Sequence, residues 1–118
     1  MEDMEIMARK EVKIWEGSHA GIVNISNVAY VLTNERLITT FGALFKSQED
    51  IELMDIRKIY VDQSILDKVS NRGLVKIYHK GGKMEMDINN PWEVKEKIRS
   101  AVLDAKDRLN ISYRQEFA

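Results

Sequence analysis

The stretch LVKIYHKGGKMEMDINNPWEV, residues 74–94, carries two hydrophobic periods in succession, and the change between them sets the architecture. From Leu74 to Ile88 apolar side chains recur at every second position, and Gly81-Gly82 supplies two residues free to take positive φ. A turn on that pair sets Lys80 opposite Lys83, His79 opposite Met84, Ile77 opposite Met86 and Val75 opposite Ile88. Val75, Ile77, Met86 and Ile88 then share one face, while Lys76 opposite Asp87 and Tyr78 opposite Glu85 share the other. A slip of one residue would bury a charged row, so the pattern specifies a hairpin. At Asn89 the period becomes 3.6. Asn90 reads as an N-cap, Pro91 suits the first helical turn, and Glu93 occupies the capping-box position. Val94, Ile98, Ala101, Val102, Ala105 and Leu109 then form one apolar stripe, with the acidic-first pairs Glu93/Lys97 and Asp104/Arg108 on other faces. Asn110 is the expected stop.

Before this hairpin the chain reads as short strands separated by turn signals. Glu11–Trp15 alternates until Gly17-Ser18, and Gly21–Ile25 is a second β-prone run. Ala29–Thr33 and Arg36–Phe41 flank Asn34-Glu35, a two-residue turn that would set Leu32 opposite Leu37, Tyr30 opposite Thr39 and Val31 opposite Ile38. Both faces of this hairpin carry apolar residues, which places it inside a sheet. Leu44–Leu53 and Ile56–Gln63 follow, with Ile59 and Val61 inward and Tyr60 and Asp62 outward. The opening MEDMEIMARK sets Met4, Met7 and Ala8 at helical spacing, as a short helix or a tail.

Composition narrows the class. The 118 residues hold 18 Lys+Arg against 19 Asp+Glu, a net charge of −1, which gives no excess of positive charge for general nucleic-acid binding. Cysteine is absent, so thiol nucleophiles, disulfides and thiolate metal sites are excluded. No apolar run reaches a membrane span and the start lacks the order of a signal peptide, so the expectation is a single cytoplasmic domain over residues 1–118. Its core would run from about 11 to 109, and a chain of this size buries roughly two-thirds of its extended surface without staples. About seven strands followed by one amphipathic helix imply a mainly β fold, a partly open barrel or sandwich closed by that helix.

Several runs resemble the bacterial pleckstrin-homology-like family. They are Leu32–Ile38 (LTNERLI), Gly42–Phe45 (GALF), Ile51–Leu53, Val61–Ser64 (VDQS), Gly73–Ile77 (GLVKI) and Pro91–Val94 (PWEV), in the family's order. The resemblance covers about Val12 to Leu103 and implies a seven-stranded, two-sheet barrel with a helix over one open end. It also implies a non-catalytic interaction module that binds itself or another protein, without a cofactor. Val69–Arg72 departs from the Gly- and Leu-rich connection usual in the family.

Catalytic constellations are missing from the sequence: His19 and His79 are the only histidines, and no nucleophile elbow, zinc-protease or phosphate-loop motif occurs. Two surfaces remain as candidates. Arg72, Lys76, Lys80 and Lys83 form a basic window without an acid between them, suited to an anionic membrane or phosphorylated headgroup, although Glu85 and Asp87 return on the facing strand. The second is apolar. Phe41, Leu44 and Phe45 surround a turn in which not every large side chain can face inward, and Tyr60, Trp15 and Trp92 either extend that contact surface or pack in the core. Open sheet edges likewise invite another chain, which makes a protein partner or a homo-oligomer the favoured reading.

Overall fold

The computed structural model describes residues 10–20, 27–42 and 46–117, with side chains described as far as Leu109. Strands β1 (Lys13–Ser18), β2 (Val28–Thr33), β3 (Arg36–Phe41) and β4 (Ser47–Glu52) form one antiparallel sheet in sequence order. A single 3-10 turn, Leu53–Asp55, leads into the second sheet of β5 (Ile56–Asp62), β6 (Arg72–His79) and β7 (Gly82–Asn89). Helices α1 (Ile65–Val69) and α2 (Pro91–Phe117) complete the chain. The fold is therefore mainly β, with two sheets of four and three strands and a C-terminal helix, as expected. Among the described residues the sheets remain separate ladders, tied at one corner by the backbone bond from Ala20 N, just after β1, to Asp87 O of β7.

The core lies where both sheets face α2. Leu32, Leu37, Leu53, Ile77, Met86 and Ile98 are wholly buried, and Ile59 and Val61 pack against them from β5. The central position of the β2–β3 hairpin and its register, with Leu32 facing Leu37 and Tyr30 facing Thr39, agree with the sequence reading. The β6–β7 hairpin differs. Ile77 faces Met84, Val75 faces Met86 and Gly73 faces Ile88, so Lys76 meets Glu85 rather than Asp87, and Tyr78 meets Lys83. The turn is Lys80-Gly81, and Gly82 opens β7 with φ of 138°, where its missing Cβ matters. A slip of two residues keeps every side chain on its face, so burial alone cannot choose between the registers.

Other boundaries also moved. β1 runs through Gly17-Ser18, which pair with Tyr30 and Ala29 of β2, and the Trp15 indole lies across Gly17, where a Cβ would sit 2.5 Å from Trp15 Cζ2. The strand expected from Leu44 is described only as β4, and Gly21–Ile25, Met4–Ala8 and Leu44-Phe45 fall outside the described residues. α1 was not expected, yet it carries a full capping box in which Ser64 Oγ accepts from Asp67 N and Asp67 Oδ2 accepts from Ser64 N.

At α2 the expected cap is replaced. Asn90 has φ of 54° and its side-chain oxygen accepts from Asn71 Nδ2, itself at φ of 53°, while Glu93 faces Lys97 at 4.0 Å. Asparagine tolerates this left-handed backbone, so the pair clasps the start of β6 to the start of α2. Val94, Ile98, Ala101, Val102 and Ala105 are buried as the stripe predicts, but Leu109 is 54% exposed and the helix continues past Asn110. Arg108 reaches the Asn34 carbonyl at 2.6 Å instead of the Asp104 carboxylate.

Candidate interaction surfaces

Several of the residues that carry the sequence resemblance tie elements of the fold to one another. Thr33 Oγ1 accepts from the amides of Glu35 and Arg36, closing the β2–β3 turn, and it donates to Glu11 Oε2 at 2.7 Å. Arg36 grips the same Glu11 carboxylate through Nε and Nη2, at 2.8 and 3.0 Å, and reaches Asp50 with its third nitrogen. Gln63 accepts from Trp92 Nε1 and donates to the Arg72 carbonyl, joining β6 to the first turn of α2. Gly73 is needed for close approach: a Cβ there would lie 3.1 Å from the Asp62 carbonyl and 3.2 Å from Pro91 Cγ. These groups build the scaffold and leave the contact surface to others.

The basic window is folded against acids. Arg72 binds Asp87 with two nitrogens at 2.8 and 2.6 Å, Lys76 meets Asp62 at 3.2 Å, and Lys83 meets Glu85 at 3.2 Å. The Arg72 guanidinium holds the Asp87 carboxyl below its ordinary value of 3.8. Only Lys80, exposed in the turn, has no ion pair among the described residues. The window thus presents far less free charge than its composition suggests.

Phe41, at the end of β3, is half-buried opposite Ser47 and Val28; its expected companions Leu44 and Phe45 lie outside the described residues. Trp15 packs against the core. Tyr60 is 45% exposed, edge-on to Tyr78 at 5.9 Å, with Lys58 over its face. Three residues that the sequence reading did not offer as contacts dominate the exposed apolar surface among the described residues: Ile65, Leu66 and Val69 of α1 are 82%, 81% and 86% exposed. Gln63 brings the half-exposed Trp92 beside the start of that helix. The signal was present as SILDKV, a capping serine followed by aliphatics at i, i+1 and i+4, but nothing in it says that the aliphatic side faces outward.

Among the described residues no group of three or more His, Cys, Asp or Glu side chains is arranged to hold a metal, and no helix is long and apolar enough to cross a membrane. His79 Nδ1 accepts from the Gly81 amide at 3.1 Å, a turn contact.

A family model described as a bacterial PH domain matches residues 18–107, and the chain belongs to that family. Searches of curated proteins and of solved structures returned no match. Membership supports, in general terms, a non-catalytic interaction module.

Proposed function

We propose that this bacterial PH domain acts in the cytoplasm by binding protein, and that its partner is a second copy of the same chain, met through the apolar surface of α1. The observation that carries the reading is the exposure of Ile65, Leu66 and Val69 on a helix of five residues whose start is closed by a capping box. Aliphatic side chains of this size are stabilised by roughly 1.5–3 kcal/mol each when removed from water, so a protein face that covers them gains several kcal/mol. A patch on a short, capped helix suits a two-fold contact in which each copy offers the same residues. Multi-angle light scattering across a concentration series tests this. The intact chain should shift from monomer to dimer, and the triple substitution Ile65→Ser, Leu66→Ser, Val69→Ser should remain folded and monomeric. A wild-type chain that stays monomeric at millimolar concentration would remove the self-association.

A second reading is peripheral binding to anionic membrane through Arg72, Lys76, Lys80 and Lys83. Lys80 favours it, being exposed and unpaired among the described residues, whereas its three neighbours must first leave Asp87, Asp62 and Glu85. Co-sedimentation with phosphatidylserine vesicles decides it: this reading needs salt-sensitive binding that Lys80→Glu abolishes.

A further inference from the structure

A groove of about 300 Å³ runs between β5 and the middle of α2. Ile59, Val102 and Leu103 contribute its apolar surface. Arg57 and Lys58 border it from β5, and Lys95, Arg99 and Lys106 from α2, with no carboxylate among the residues that line it. The helix period explains three of these cations, since positions 95, 99, 102 and 106 follow one flank of α2 beside its buried stripe. On β5 the pairing with β6 shifts between Ile56 and Lys58, an irregularity that lets the successive residues Arg57 and Lys58 both border the groove.

Their charge is held in place without being cancelled. Lys58 lies 4.4 Å from the centre of the Tyr60 ring, Lys95 lies 5.5 Å from that of Trp92, and Lys106 Nζ donates to the Ile56 carbonyl at 3.2 Å. Among the described residues Arg99 has only Glu96 at 3.9 Å, an exposed pair that screens little. Five cations around one groove, in a chain of net charge −1, make a local positive field that selects an anionic occupant. β5 is also the edge of its sheet, paired only with β6, so a chain laid beside it finds backbone groups that have no strand partner among the described residues.

We infer that this groove is a docking site for an extended acidic segment of a partner protein, laid along β5 with carboxylates toward the five cations and an apolar side chain against Ile59 and Leu103. A concave trough beside a strand edge matches a single extended chain, whereas a planar bilayer could not reach its floor. The inference concerns a different surface from α1 and stands apart from the self-association reading.

The test is a titration of the ¹⁵N-labelled full chain with a synthetic peptide of alternating glutamate and leucine, followed by amide shifts. Saturable shifts are expected over residues 57–61 and 95–106, weakening as salt rises. Lys95→Glu with Arg99→Glu should reduce affinity at least tenfold, and Ile65→Ser should leave it unchanged. The single substitution Arg57→Gln, checked by thermal melting, gives a second reading should the double reversal unfold the chain; it should weaken binding severalfold. No saturable shift, shifts located elsewhere, equal binding of a peptide with lysine in place of glutamate, or undiminished affinity in the folded variants would each overturn the inference. So would vesicles of phosphatidylserine producing the shifts when the peptide does not.

Discussion

Asn34 joins three parts of the chain through one turn residue. Its Oδ1 accepts from Val12 N at 2.7 Å, its Nδ2 donates to the Lys10 carbonyl, and its own carbonyl accepts from Arg108 Nη2. Asn34→Ala removes the two side-chain bonds, and urea unfolding should show a loss of about 1–2 kcal/mol. The acidic groups around this turn and at β7 give stability a direction with pH. Glu11 is held below its ordinary value chiefly by its hydrogen bond to Arg36 and then by Thr33, and Asp87 below its own by Arg72. A carboxyl whose folded value lies below its unfolded one contributes stability that is complete above the ordinary carboxylate range and is lost as pH falls through the folded value. Stability measured by urea at successive pH values should therefore fall on acidification below that range, and Arg72→Gln should flatten part of the fall. That Asn34 sits in a turn was legible from residue type and spacing. Its bonds to Lys10 and Val12 were not, because they join positions more than twenty residues apart that no local pattern relates.

Elements were legible wherever one face had to be buried. The alternation in β6 and β7 and the helical stripe of α2 identified both elements, since burying the wrong face would strand charges in the core. What alternation cannot resolve is a displacement by two residues, and the hairpin register differed by that amount. The observed turn yields a prediction that distinguishes the two registers. Gly82 has φ of 138°, a conformation that L residues rarely adopt, while at Gly81 an added Cβ meets only the His79 ring, at 3.2 Å, and no positive φ applies. Gly82→Ala should cost about 1–2 kcal/mol in chemical denaturation, and Gly81→Ala distinctly less. A turn centred on Gly81-Gly82 would instead make both costly. α1 escaped notice for a related reason: its aliphatics have nothing to bury them within the described chain, so the rule that ties apolar spacing to a core pointed nowhere. The groove beside α2 was likewise invisible, because Arg57 and Lys58 stand far in sequence from the cations they join.

At the scale of the molecule the near balance of 18 basic and 19 acidic residues conceals two different arrangements of charge. On the β6–β7 hairpin cations and carboxylates meet across strands, whereas along β5 and α2 the cations gather without a lining acid. α2 is common to both the core and that groove, so it ties stability to the proposed binding. Its buried side chains Val94, Ile98, Ala101, Val102 and Ala105 cover the second sheet and the turn at Leu53–Asp55. At about 25 cal/mol for each Å² of apolar surface withdrawn, such a stripe is worth on the order of 5–10 kcal/mol, comparable to the whole stability of a typical domain. A chain ended after Asn90 should accordingly show no cooperative thermal transition. One ended after Leu109 keeps all five buried side chains and the Arg108 bond to Asn34, and should melt within a few degrees of the full chain. Circular dichroism on the two truncations separates the roles: a cooperative melt in the shorter one would mean that the sheets hold each other without α2.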